Sequence, residues 1–338
     1  MNQVWSKAKR YLQWVMLGGV LFFFAKAFSR HWQEVTEKLT EIDGSGMIFL
    51  GLGVTLSLLA FAWSGIVWHW TLGEFKQKLK PFWLVKLYLK THIAKYLPGH
   101  VWHYCGRIWG VKQVGVPGEI ATLSVIIEPF LMIAAALTTA IVSCQLAGEG
   151  TRDFNNFNNW GCQIISLMGV MLIVHPKFLN PALGILGKIK GKKKDCPGID
   201  LKHYRIERYP VKLLIAELVF VALRCSGFIF TFMALNPVAP HQLPILVSGF
   251  SLAWLAALVL PGAPGGVGVF EAAAMMILSK SFSPGVVLSV VAVFRLVTIL
   301  AEAIGAGLAY LDERRTKKAY QLALVEERFV DREFITLK

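Results

Sequence analysis

The sequence predicts an all-α membrane protein: about six full transmembrane helices plus two re-entrant helical hairpins in an inverted-repeat-like arrangement. Three observations predict it. Long apolar runs alternate with charged loops. Lysine and arginine crowd into every second loop. Two further stretches, one in each half, break at proline and glycine. If each hairpin crosses twice instead, the count rises to as many as ten spans, with the chain ends still on one side.

The spans come first. Of 338 residues, 55% are hydrophobic and only 17% charged, against about 25% charged in soluble domains. The apolar residues gather at 11–28, 47–70, 119–147, 160–176, 211–235 and 286–309. A helix needs about 20 such residues to cross a ~30 Å hydrocarbon layer. Residues 1–311 therefore form one integral-membrane domain, with halves at 47–147 and 211–309, and 312–338 form a charged cytoplasmic tail. The N-terminus (Lys7, Lys9 and Arg10 before an apolar stretch) has the look of a signal peptide. It lacks a small-residue cleavage site after Phe28 and is expected to stay as a first helix.

Loop charge sets the orientation. Residues 1–10, 71–118, 177–212 and 312–338 hold 28 of the 35 Lys and Arg residues, whereas 29–46, 148–159 and 236–244 hold three. By the positive-inside rule both termini are cytoplasmic, as an even number of crossings requires, in a multi-pass protein of the cell inner (plasma) membrane. The formal charge of +14 is thus mostly topology, with anionic headgroups of the inner leaflet as a secondary partner. No nucleic-acid recognition module is present, so no nucleic acid is expected. The five cysteines form no CxxC pair, and three lie in apolar runs, which fits reduced packing residues.

The hairpins are residues 81–115, broken at Leu97-Pro98-Gly99, and 243–280, broken at Pro261-Gly262-Ala263-Pro264-Gly265-Gly266. Each half is expected to be about 10–18 residues, marginal or too short to cross. Backbone broken at membrane depth survives only inside protein or beside a wet cavity. One hairpin sits in each half, between two spans, with opposite orientation. That is the pattern of an inverted repeat with a site at the repeat interface.

Candidate site residues lie at these breaks and on the neighbouring spans. Gly265, Gly266 and Gly268 open a helix near Val269, where free backbone N–H groups suit a phosphate or carboxylate. A tight helix crossing through small residues is the alternative. Glu271 at that helix start either caps it or pairs with a buried arginine, Arg224 or Arg295. Intramembrane arginines usually face the bundle interior, and arginine suits phosphate. Glu128, Glu217 and Glu302 are further intramembrane acids, open to structural ion pairing or to proton carriage. In the first hairpin, Lys95 and Arg107 could meet a headgroup phosphate, with Tyr96, Trp102 and Tyr104 as a rim or as ordinary interfacial aromatics. His100 and His103 lack further ligands, so no metal is expected.

At these motifs the chain resembles the integral-membrane, flippase-type domain of bacterial lysyl-phosphatidylglycerol synthases. The resemblance rests on Lys95-Tyr96-Leu97-Pro98-Gly99 with Trp102 and Arg107, on Glu128-Pro129, on Pro264-Gly265-Gly266-Val267-Gly268-Val269-Phe270-Glu271, and on Arg295. It covers roughly residues 10–310. It implies movement of a phospholipid between leaflets along the hairpins. In the full-length synthases a C-terminal soluble domain transfers lysine from tRNA to the lipid. Only 312–338 follows here, so aminoacyl transfer is expected to be absent.

The expected function is translocation of a phospholipid or related anionic or zwitterionic lipid, by a transporter-like protein rather than an enzyme. The alternatives are a membrane-embedded enzyme subunit for lipid-phosphate or polyprenyl-linked glycan metabolism, and a non-transporting scaffold. No catalytic constellation or nucleotide motif is recognisable and no cofactor is expected. A homo-oligomer and lipid- or glycan-biosynthesis enzymes are the expected protein partners.

Overall fold

The computed structural model describes residues 32–96, 101–147, 210–260, 266 and 268–336, with backbone alone beyond 315. The spans expected at 11–28 and 160–176 lie outside the described residues, as do Gly265 and His100. Among the described residues every element is helical.

A short helix, α1 (Trp32–Thr40), precedes the first long one, α2 (Gly44–Glu74). Asp43 starts α2 by accepting from Gly46 N at 2.7 Å, and the Ser45 hydroxyl donates to the same oxygen at 2.7 Å. These two donors hold the Asp43 carboxyl below its ordinary range, as hydrogen bonding to the charged form does. Past the end of α2, Lys76 takes a left-handed φ of 59° and turns the chain.

The first hairpin follows as α3 (Pro81–His92), a 3-10 turn (Ile93–Tyr96) and α4 (Trp102–Lys112). Pro81 opens α3, where its missing N–H costs nothing. At 12 and 11 residues neither limb can cross a bilayer alone. The limbs lie close because Gly106 and Gly110 face Thr91 and Leu87: a Cβ on Gly110 would fall 2.6 Å from Leu87 Cδ2. Then α5 (Gly118–Ala147) completes the first half.

The second half repeats the order: α6 (Val211–Leu235), α7 (Leu243–Val259), α8 (Val269–Leu278) and α9 (Pro284–Thr336). Its hairpin differs from expectation in one limb. With the 3-10 turn at Pro240–Gln242, the first limb forms a 20-residue apolar unit, long enough to cross, whereas α8 has 10 residues and is not. By length and composition α2, α5, α6, the Pro240–Val259 unit and the Pro284–Arg315 part of α9 are candidate spans. The helix α9 continues unbroken through residue 312 to Thr336.

Packing between the halves is reciprocal. The leading spans α2 and α6 make the largest interface; α5 lies on α7, and α9 lies on α3. Each closing span thus covers the other half's hairpin, as an inverted repeat requires. The α2–α6 crossing is built from small residues. A Cβ on Gly53 would lie 3.2 Å from Gly227 O, and one on Gly227 3.1 Å from Ser57 Oγ. Close backbone approach of this kind replaces the hydrophobic drive that lipid removes. In the second half Phe228, Phe250, Phe270 and Phe294 from α6 to α9 stack at centroid distances of 5.2–6.2 Å, an arrangement that ties α8 to the spans.

Candidate functional site

The two hairpins meet at one cavity of about 330 Å³. Tyr88, His92 and Lys95 point into it from one face of α3 and its 3-10 turn, spaced i, i+4, i+7. His103 and Arg107 enter from α4, Glu128 from α5, Arg224 from α6, Trp254 from α7, Gly266 from the second break, and Arg295 and Thr298 from α9. Phe61, Phe220, Phe270 and Phe294 supply apolar wall.

Among the described residues, three pairs of a lysine or arginine with a carboxylate surround the cavity. In the first half Arg107 is bonded to Glu128, both under 5% exposed. Tyr88 Oη donates to the other Glu128 oxygen at 2.8 Å, and the Arg107 guanidinium sits 4.2 Å from the Tyr88 ring centroid. In the second half Arg295 Nε donates to Glu271 Oε1 at 2.7 Å. Gly268 N donates to Glu271 Oε2 at 2.5 Å, and Arg295 Nη2 reaches Gly266 O at 3.4 Å. Gly266 and Gly268 hold φ of 68° and 86°, conformations that glycine adopts without strain. Glu271 therefore caps its helix and pairs with an arginine at once. The third pair joins the halves: Lys95 Nζ lies 2.5 Å from Glu302 Oε1 on α9.

The first two pairs are mirror versions of one device. In each half the second hairpin limb is fastened to the following span. The hairpin supplies the arginine in the first half and the carboxylate in the second. Hairpins held by charge pairs can be released by competing charge, which packing alone does not permit.

Arg224 differs. It donates to Ser57 Oγ at 3.1 Å and Thr298 Oγ1 at 3.3 Å, and its guanidinium lies 5.0 and 4.9 Å from the Phe61 and Phe294 ring centroids. Among the described residues no carboxylate lies within 4.0 Å of it.

Of the residues singled out by sequence, Lys95, Arg107, Glu128, Arg224, Gly266 and Arg295 line the cavity. Glu271 and Gly268 stand behind Arg295. Tyr96 lies beside Lys95, its ring centroid 5.2 Å from Nζ. Trp102 is 53% exposed and does not line the cavity. Lys95 and Arg107, expected to face a phosphate, are already neutralised by carboxylates. Sequence reasoning missed Tyr88, His92, Trp254 and Thr298. The i, i+4, i+7 spacing of Tyr88, His92 and Lys95 is a signal that could have found the first two. Among the described residues no group of three metal-ligating side chains occurs.

A search of curated proteins finds no match to the chain. The family described as the lysylphosphatidylglycerol synthase TM region matches residues 13–305, which take in both hairpins, all three ion pairs and Arg224. The chain belongs to the lysylphosphatidylglycerol synthase transmembrane-region family.

Proposed function

We propose that this protein moves a phospholipid, or a related anionic or zwitterionic lipid, between the leaflets of the cell inner membrane, with both termini in the cytoplasm. One observation carries the reading: two broken hairpins, one from each half, bring their polar faces to a single cavity inside an otherwise apolar bundle. Its 330 Å³ is at the lower end of the ~300–1,000 Å³ of small-ligand sites. A headgroup fits in that volume while the acyl chains stay in the bilayer. The membrane-lipid association of the family agrees with such a substrate.

The chemistry asked of the cavity is modest. A headgroup leaving water needs polar partners throughout its crossing. The charged and hydroxyl groups around the cavity supply them, and the Arg107–Glu128 and Arg295–Glu271 fasteners can exchange partners as the headgroup passes. No bond is made or broken, and the chain carries no nucleotide motif. The movement is downhill or coupled to an ion.

The test is a leaflet-asymmetry assay in proteoliposomes with labelled phosphatidylglycerol, phosphatidylcholine, an aminoacylated lipid and a polyprenyl phosphate. At least one lipid should cross faster than in empty vesicles, and Arg295→Ala should abolish the gain while the protein still inserts and elutes as a folded species. Crossing at the empty-vesicle rate for every lipid, with folded protein, overturns translocation.

A further inference from the structure

Glu217 is a buried ionisable group that the translocation reading above leaves without a task, and the inference drawn from it rests on that reading. Its side chain is 0% exposed, and among the described residues neither oxygen has a hydrogen-bond partner. Its neighbours along α6, Leu213, Leu214, Phe220 and Val221, belong to the apolar core. Phe220, one turn on, lines the cavity, as does Trp254, whose ring centroid lies 5.6 Å from that of Phe220. Arg224, a further turn on, lines it too. The spacing i, i+3, i+7 puts Glu217 on the cavity-facing stripe of α6. It does not itself line the cavity, and stands one turn behind the aromatic wall.

Few charges are near it. Glu128 on α5 and Arg107 on α4 are the described ionised groups whose fields reach Glu217, and these two are bonded to each other. The other helices packed on α6 offer no counter-charge among the described residues. From α2, the Trp63 indole donates to Ala216 O, and His69 and Glu74 lie about two and three turns further along that helix. The helix α7 contains no ionisable side chain. On α9, Arg295 is bonded to Glu271 and Glu302 to Lys95. Lys212, near the start of α6 itself, lies over the Trp70 ring. An ionised carboxylate without a partner is too costly in such surroundings, and the group takes a proton instead. A hard metal ion is no substitute, because it collects several oxygen ligands, and no group of three ligating side chains occurs among the described residues.

That proton has a mechanical consequence. While Glu217 is neutral, Arg107 belongs to Glu128 and the first hairpin stays fastened to α5. Once Glu217 is ionised, two carboxylates compete for one guanidinium, and Glu128 still keeps the Tyr88 hydroxyl as a donor. We propose that Glu217 is a proton-binding site that couples lipid movement to the proton: release of its proton draws Arg107 away from Glu128 and frees the first hairpin, and uptake of a proton restores the fastener. Headgroup and proton then act on the same ion pair. One proton taken from water on one side and given to water on the other, once per cycle, makes the movement ion-driven with no proton created or consumed.

The test places the full chain in proteoliposomes carrying, in turn, each of the four labelled lipids of the leaflet assay, with the membrane potential clamped by potassium and valinomycin. A pH gradient of about one unit is a tenfold ratio of proton activity. Coupling to one proton should hold the lipid that moves at a leaflet ratio displaced by up to about tenfold, and reversing the gradient should reverse the displacement. Glu217→Gln should return the ratio to its value without a gradient, and Glu217→Asp should keep part of the displacement. Infrared difference spectra of the purified proteins give a readout independent of transport: the wild type should show a protonated-carboxyl band at neutral pH that Glu217→Gln lacks. A wild-type protein that moves lipid to a ratio indifferent to the gradient overturns the coupling and leaves translocation standing. A displacement that survives Glu217→Gln overturns the assignment to this residue, and absence of the carboxyl band overturns the proton site. The band present, with no lipid moving in any vesicle, overturns translocation and leaves the proton site standing.

Discussion

Arg295 Nε lies 2.7 Å from Glu271 Oε1, while the other oxygen of the same carboxylate accepts from Gly268 N at 2.5 Å. One side chain thus joins the broken backbone of the second hairpin to the last span. The Arg295 side chain is 19% exposed and Glu271 5%. Removing one partner of such a pair leaves a charge uncompensated, at a cost of about 3–5 kcal/mol for fully buried cases. We expect Arg295→Met to cost about 3 kcal/mol, near the lower end of that range. The double variant Arg295→Met with Glu271→Gln should be closer to wild type than either single change, because the amide can still accept from Gly268 N. Thermal unfolding of the four proteins in detergent checks this. Strictly additive losses would mean that the two residues do not act as a pair.

The counterpart in the first half carries a third member. Tyr88 Oη donates to Glu128 at 2.8 Å while Arg107 holds the other oxygen, and Tyr88 is 1% exposed. A hydrogen bond to a charged acceptor contributes about 1.5–3 kcal/mol. Tyr88→Phe deletes that donor and keeps the ring under the guanidinium. The expected loss lies within that range, with Glu128→Gln losing more because Arg107 is then unpaired. An unchanged unfolding midpoint for Tyr88→Phe would show that Glu128 is satisfied by Arg107 alone.

How much of this was legible in the sequence follows from what each signal measures. Hydropathy located α2, α5, α6 and the start of α9 to within a few residues, and the proline and glycine breaks located both hairpins. Charges inside apolar runs also stood out, so Glu128, Arg224, Glu271 and Arg295 could be singled out one by one. Their partners could not. The Lys95–Glu302 pair spans 207 positions, and no local pattern encodes it. Nor could the sequence say which arginine Glu271 takes, because that depends on how α8 is turned between α6 and α9. The place of Trp102, rim or ordinary interfacial aromatic, stayed open for a related reason. In an 11-residue helix with aromatic and polar residues on all sides, the buried face is set by Thr91 and Leu87 packing on Gly106 and Gly110. The first limb of the second hairpin looked too short because the 3-10 turn at Pro240–Gln242 was read as loop.

Lys95 belongs to a ladder of three lysines joining α3 and its 3-10 turn to α9. Lys86 reaches Asp312 at 2.7 Å and Lys90 is bonded to Glu313. Those two pairs are 22–43% exposed, whereas Lys95 and Glu302 are 16% and 2% exposed. Exposed pairs contribute about 0–1 kcal/mol each and weaken with salt. Lys86→Gln with Lys90→Gln should therefore shift stability by no more than about 1 kcal/mol, and the shift should vanish in high salt. Lys95→Met should cost about 3 kcal/mol or more, as breaking a buried pair does, and salt should not mask it. Unfolding at low and high ionic strength separates the two classes. A salt-sensitive loss at Lys95 would place that pair in water rather than inside the bundle.

Among the described residues, Glu217 is the intramembrane acid that no pairing explains. It is 0% exposed on α6, two turns before Arg224, and among the described residues neither carboxyl oxygen has a hydrogen-bond partner. Its neighbour Ala216 is engaged, accepting from Trp63 Nε1 at 2.8 Å, so the helix is well anchored at this level. A buried polar group left unsatisfied costs about 1–3 kcal/mol, and methionine has similar bulk with nothing to satisfy. Glu217→Met should therefore raise stability by about 1–3 kcal/mol. Selection for stability alone would have removed such an acid, and an intramembrane ionisable group is by default a candidate for function. The stabilised variant should accordingly lose lipid movement in the proteoliposome assay, the usual exchange between stability and activity. Measuring both properties on one preparation decides the matter. A gain in stability with full transport makes Glu217 a tolerated defect. A fall in stability means that the carboxyl has a partner in the intact protein.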